Sequence, residues 1–270
     1  MPAAAKVAIV TGASAGIGRS CADRLAAAGW TVTGASRRGT GGSNWTGVVM
    51  DVDDDAAVRA GIADVIKRHG RVDALVAAAG WGVAGAAECT AIDAAKAQFE
   101  TNFWGCVRTV QGVLPQMRAQ RSGRVVLIGS IGGAIGIPFQ AYYSASKFAL
   151  EGFAESMAYE VAPFGVHVTI VQPGNIATDF TASRKLAGDG PAAAAYAAAM
   201  TKAVALMERD EAHGASPDLV AVTVQRVLEA RRPPRRVSAG KAEERVGLVA
   251  KRLLPFRLFE AAARRSLGVG

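Results

Sequence analysis

With 270 residues, half of them apolar, and a mean hydropathy of +0.20, the chain can bury one sizeable hydrophobic core and is short for two. Its net charge of +8 is lopsided: eleven Lys/Arg stand against three Asp/Glu from Arg231 to Gly270, while residues 1–230 carry twenty of each, so the main body offers no nucleic-acid surface. Cys21, Cys89 and Cys106 are an odd number with no C-x-x-C pair, which argues against a disulfide framework or a metal site and reads as reduced thiols in a cytoplasmic protein.

The opening Met1–Val10 lacks the charged start of a signal peptide, and Lys6–Val10 reads as a first strand. Gly16–Ala28 follows as a helix opened by glycines. Thr31–Ala35, Val48–Asp51 and Val72–Ala77 read as strands, with a helix near Asp54–His69 between the last two. One long helix is expected over Ala91–Gln120, a strand at Val125–Gly129, a helix at Tyr142–Ala162 and a strand at Val166–Val171. Short β-branched runs alternating with helices predict an α/β, Rossmann-type doubly wound parallel sheet in three αβα layers. The continuous apolar runs suit strands buried on both faces. No run approaches the ~20 apolar residues of a membrane-spanning helix.

After Pro173 the alternation stops. Thr178–Asp210 is Ala-rich and interrupted by Gly188, Gly190 and Pro191. An insertion here, 178–215, is either a mobile cover over a site at the strand ends or an ordinary pair of surface helices. Pro217–Ala230 reads as a helix and Arg235–Ser238 as a short last strand. We therefore expect one domain over 1–234 and a basic C-terminal extension over 235–270, with short helices at Arg245–Leu254 and Phe256–Arg265. That extension either packs on the domain with a solvated basic face or lies as a basic amphipathic surface on an anionic membrane.

Between the first strand and helix stands Thr11-Gly12-Ala13-Ser14-Ala15-Gly16-Ile17-Gly18. Glycines at such a junction permit a tight turn and let backbone N–H groups approach a pyrophosphate at the helix N-terminus. The spacing is G-x-x-x-G-x-G, and no Gly-Lys-Ser/Thr follows, so it is not a P-loop. The second strand ends in Ser36-Arg37-Arg38, and no Asp or Glu occurs between Gly29 and Met50. Guanidinium groups there favour a ribose 2′-phosphate where a carboxylate would repel it, which points to NADP(H); a solvated basic loop is the other reading. Asp51 and Val52 either border the adenine or, for the Asp, cap the next helix.

Tyr143-Ser144-Ala145-Ser146-Lys147 places a phenol and an ammonium four residues apart, one turn along a helix face. A nearby cation favours the phenolate and draws its pKa towards the working range. Ser130 follows a buried strand at its carboxyl end, where a hydroxyl can orient a substrate oxygen. Asn102 lies inside the long helix expected over Ala91–Gln120, where Asn is disfavoured unless its side chain is used. Trp81, just after the fourth strand, either lines a substrate cavity or packs.

These motifs together resemble the classical short-chain dehydrogenase/reductase family from about Lys6 to Ala230, down to Asn102–Gly105, Pro173-Gly174 and the following Thr178. The resemblance implies that Tyr143 is the general acid/base, that Lys147 lowers its pKa and bonds the nicotinamide ribose, and that Ser130 steadies the reacting oxygen. By the same resemblance Asn102 holds a relay water, and Ile176 and Thr178 meet the carboxamide. Where the family has N-N-A-G or N-A-A-G after the fourth strand, this chain has Ala77-Ala78-Ala79-Gly80, with Ala78, Ala79 and Gly80 still at the cofactor. Tyr143–Phe180 is similar to the 17β-hydroxysteroid and retinol dehydrogenase branch. This implies a bulky apolar, steroid-, retinoid- or lipid-like carbonyl or alcohol, and a homodimer or homotetramer. The alternatives are a non-catalytic NADP(H)-binding regulator, which has no use for the Tyr–Lys–Ser–Asn set, and an extended lyase or epimerase, which needs a longer chain.

Overall fold

The computed structural model describes residues 5–188, 190 and 192–269; Pro191, one of the expected interruptions of the insertion, lies outside them. The chain begins β1 (Val7–Thr11), α1 (Gly16–Ala27), β2 (Thr31–Ser36), β3 (Thr46–Val49), α2 (Asp55–His69) and β4 (Ala74–Ala77). It continues through β5 (Val83–Ala84), α3 (Ile92–Phe99), α4 (Cys106–Gln120), β6 (Gly123–Ile128), α5 (Ala141–Val161) and β7 (Val166–Pro173). Beyond lie α6 (Phe180–Ser183), β8 (Lys185–Leu186), α7 (Ala193–Ala212), α8 (Pro217–Glu229), β9 (Arg236–Ala239), α9 (Ala242–Leu253) and α10 (Phe256–Ser266).

Seven parallel strands form the expected sheet in the order β3-β2-β1-β4-β6-β7-β9. Successive strand side chains point to opposite faces, and the core divides accordingly. Ile9, Leu75 and Leu127 pack with Val58, Met117 and Leu150 of α2, α4 and α5. Val10, Val76 and Val126 pack with Leu25 and Val224 of α1 and α8 on the other face. Each fully buried Leu or Ile of this kind contributes about 1.5–3 kcal/mol. The order reverses between β1 and β4, and at that switch point the carboxyl ends of the strands open a crevice.

One expectation needs correcting. The helix expected over Ala91–Gln120 is not one regular helix: between α3 and α4 the backbone widens into a π-helical segment, Glu100–Gly105, which carries Asn102 inward to full burial. Widened turns of this type mark functional sites, because they re-aim a side chain without ending the helix. The short last strand expected at Arg235–Ser238 is present as β9, at the edge of the sheet. β9 pairs with β7 in register Ile170↔Arg236, and Arg236 donates to Glu151 of α5, which also accepts from Gln172 of β7. The part of the chain outside the sheet therefore starts after Ala239.

Local capping follows the sequence. Asp54 caps α2 by accepting from the N–H groups of Ala56 and Ala57, and Gly70 ends it in the left-handed region at φ +70°. In the insertion, β8 pairs with β5 as a separate two-stranded sheet, tying the segment after β7 to the loop after β4. Cys21 and Cys106 are buried core filler, and burial pushes both thiols up to about 12.

Candidate active site

A cleft of about 760 Å³ runs along the carboxyl ends of the strands, within the size range of sites for cofactors and small molecules. At one end lies the glycine turn. Gly12 sits at φ +67°, and a Cβ there would come within 2.9 Å of the Ala79 backbone; a Cβ on Gly18 would lie 2.4 Å from the Gly12 carbonyl oxygen. Only glycine fits, and what it leaves is exposed backbone. Ala15 provides no side-chain cap for α1 and the first turn holds no acidic residue, while Ala15 to Gly18 line the cleft with Ser14. A helix N-terminus of that kind suits the pyrophosphate of a dinucleotide.

Ser36, Arg37 and Arg38 border the same end. The Ser36 hydroxyl accepts from the Gly39 N–H at 3.1 Å, and an Arg38 Nη donates to Ser14 Oγ at 3.0 Å, drawing a guanidinium over the glycine turn. Asp51 and Val52 line the cleft. With Asp54 capping α2, the capping alternative for Asp51 is removed. The residues present thus fit a dinucleotide, with basic groups beside the end of β2.

Ala78, Ala79 and Gly80 line the middle, and their departure from the family's usual asparagine has a visible counterpart. Thr11 Oγ1 accepts from the Ala78 and Ala79 N–H groups at 3.0 and 3.2 Å. Asn102 holds the next residue by accepting from the Trp81 N–H and donating to the Trp81 carbonyl, both at 3.0 Å. Its second amide hydrogen goes to Ser146 Oγ at 3.2 Å. Asn102 thus stands behind the cleft wall as a clamp. Both of its N–H groups are engaged, so a relay water finds there only a remaining lone pair on Oδ1.

At the chemical end, Ser130 follows β6 and its Oγ accepts from the Gly132 N–H at 2.9 Å, which orients the hydroxyl. Tyr143 and Lys147 project from α5 into the same space, with Lys147 Nζ 5.8 Å from the Tyr143 ring centre. Lys147 donates to the carbonyl of Ile128, the last residue of β6, at 2.9 Å. Burial lowers its pKa to about 8. The phenol moves opposite to expectation. Burial pushes Tyr143 above the ordinary tyrosine value, the Ser130 hydroxyl works against this, Glu211 adds to the rise and Arg184 opposes it. The same loss of water that disfavours the phenolate disfavours the ammonium. Pro173, Gly174, Ile176 and Thr178 close the cleft beyond β7.

Sequence reasoning missed the far wall. Phe180 meets the Tyr143 ring edge-on at 5.7 Å between centres, and the Arg184 guanidinium lies 5.8 Å from the Phe180 ring. Arg184, with a side chain 1% exposed, is ion-paired with Glu211, which also accepts from Thr181. Arg184 Nε and one Nη are enclosed without a hydrogen-bond partner. The pair ties α6 to the end of α7, and Glu211 reaches the cleft. Arg184 and Glu211 are 27 residues apart across the insertion, so no local spacing signals them. Trp81 does line the cleft, with its indole N–H on Thr101 Oγ1 at 3.0 Å.

Comparison with known proteins agrees with this geometry. The model of the short chain dehydrogenase family matches residues 6–189. A 3-ketodihydrosphingosine reductase of Bacteroides thetaiotaomicron is 35% identical over 260 residues, 96% of this chain and 97% of that protein. The mouse 17-beta-hydroxysteroid dehydrogenase type 1 is 38% identical over 205 residues, 70% of this chain and 58% of that one. Among solved structures, a short-chain dehydrogenase from Streptomyces avermitilis superposes with a TM-score of 0.82 at 34% identity, covering 97% of this chain and 98% of the other.

Proposed function

The chain belongs to the short-chain dehydrogenase family, in its steroid- and retinoid-like branch, and on that premise we propose that it interconverts a carbonyl and an alcohol with NADP(H) on a bulky, lipid-like substrate. The observation that carries this reading is the Tyr143 phenol, enclosed beside the Ser130 hydroxyl in the same cleft as the glycine turn and Arg38.

The nicotinamide, when bound, supplies or accepts the hydride at the substrate carbon. The chain's own residues manage the oxygen. The Ser130 hydroxyl, fixed by the Gly132 N–H, is placed to hydrogen-bond it. The Tyr143 phenol donates its proton as the carbonyl becomes an alkoxide, so the product is the neutral alcohol and Tyr143 is left as phenolate. Lys147, one helical turn away, is the cation on which that phenolate depends. Burial keeps the phenol protonated, so it can act as the donor when a carbonyl is reduced. Asn102 and Thr11 act as positioning residues through the loop they hold.

Arg37, Arg38 and Ser36 would hold the 2′-phosphate, and Ile176 and Thr178 the carboxamide. Ile131, Ile137, Trp81 and Phe180 give the substrate end apolar walls. Such walls, together with the similarity to a 3-ketodihydrosphingosine reductase along almost the whole chain, support a lipid-like carbonyl. No helix among the described residues is long and apolar enough to cross a membrane. We place the enzyme in the cytoplasm as a homodimer or homotetramer, with membrane contact through its tail taken up below. Following NADPH oxidation over steroid, retinoid, long-chain aliphatic and small aromatic ketones, with NADH in parallel, tests the assignment. Turnover of long-chain or polycyclic ketones with NADPH is expected. No turnover of any carbonyl would overturn the activity, and an NADH preference would overturn the cofactor.

A further inference from the structure

An amphipathic surface helix ordinarily turns its apolar residues to the core, but α9 and α10 leave several of theirs exposed. On α9, the residues that touch the domain include Glu244, Gly247 and Lys251. Glu244 accepts from the Asn175 N–H at 2.7 Å, Gly247 approaches Ile135, and Lys251 donates to the Ala134 carbonyl while lying over the Phe148 ring. Val246, Val249 and Leu253 repeat the same spacing two residues on, about 200° around the helix, and each is more than half exposed. Phe256 and Leu258 of α10 are exposed to the same degree, and Leu254 joins them between the helices. Exposed Arg245, Arg252, Arg257, Arg264 and Arg265 stand among these residues.

We propose that this face of α9 and α10 docks on an anionic lipid surface. A second copy of the chain is a poor occupant: a twofold contact sets each patch against itself, and residues 231–270, with eleven basic and three acidic side chains, would meet like charge. A bilayer with acidic headgroups satisfies both parts, taking the apolar side chains below the headgroups and the guanidinium groups at their level. α9 is anchored at Asn175 on the cleft wall, and Gly268, just past α10, lies near Leu206 of α7, so the domain side of the two helices is held in place while their apolar residues stay exposed.

Co-sedimentation of the full chain with vesicles tests this. Equimolar phosphatidylglycerol and phosphatidylcholine should pellet the protein, pure phosphatidylcholine should not, and added sodium chloride should release it. The double substitution Leu253→Asp/Phe256→Asp, at exposed positions, should weaken binding at least ~10-fold. Failure of the full chain to pellet, equal pelleting with both vesicle types, or unchanged binding by the double variant would overturn the proposal. So would a dimer in solution that the double variant dissolves. Turnover of a water-soluble ketone by the same variant should be unchanged, which separates loss of docking from loss of the active site.

Discussion

The two ends of the cleft are built on different principles. The nucleotide end is made of backbone: the glycine turn, the uncapped start of α1 and the loop after β4, held by Thr11 and Asn102. Its residues are close in sequence or sit at the ends of adjacent central strands, and the sheet fixes them. The substrate end is made of side chains from α5, α6 and α7, held by contacts between segments far apart: Phe180 on Tyr143, Arg184 on Phe180, and Glu211 on Arg184. Rigid backbone makes one end general for dinucleotides. The other is adjustable by substitution, which is where a family varies its substrates.

The sharpest way to divide the two ends is Tyr143→Phe, which removes the proton donor and leaves the nucleotide end untouched. We expect at least ~100-fold loss of turnover with cofactor affinity preserved, measured by steady-state kinetics and by titration of NADPH fluorescence. Glu211→Gln attacks the substrate wall alone. It keeps an acceptor for Arg184 but leaves that buried cation uncompensated, at a cost of roughly 1–2 kcal/mol. Thermal unfolding should begin earlier, and KM for the ketone should rise more than KM for NADPH. Equal rises would show that the ends are not separable.

Arg37→Asp acts at the opposite end. It should move the NADPH/NADH preference about tenfold towards NADH, some 1.4 kcal/mol, with no change in the ranking of ketones. A different readout, stability against pH, belongs to Lys147. Its folded pKa, about 8, lies below the unfolded 10.5, so the buried cation costs stability fully below about pH 8. Between these values the unfolded chain binds a proton that the folded chain releases, so stability rises with pH. Lys147→Met should flatten that rise in urea titrations from pH 8 to 10; an identical slope in both proteins would remove the lysine as its source.

Much of this was readable beforehand. Alternating β-branched and helical runs gave the parallel sheet, and with the exception of Asn102 the expected catalytic and cofactor residues line that cleft. Asn102 stands out in the sequence as an Asn out of place in a helix, and in the structure its side chain bonds the Trp81 backbone. The π segment that turns it inward has no residue signature, since the same side chains continue a regular helix equally well. Arg184 and Glu211 were invisible because their partnership exists only after α6 and α7 come together.

What the chain determines by itself is whatever depends on neighbours along it. Period-two and 3.6-residue patterns set the layers, glycines set the turn, and a four-residue spacing puts Tyr143 and Lys147 on one helix face. Tertiary structure decides what depends on exclusion of water. It reverses the direction of the Tyr143 shift, lowers Lys147, pairs Arg184 with Glu211 and turns the apolar stripe of α9 outward. The reason is that charge, burial and exposure are properties of a surface shared by distant segments, and no local spacing carries them.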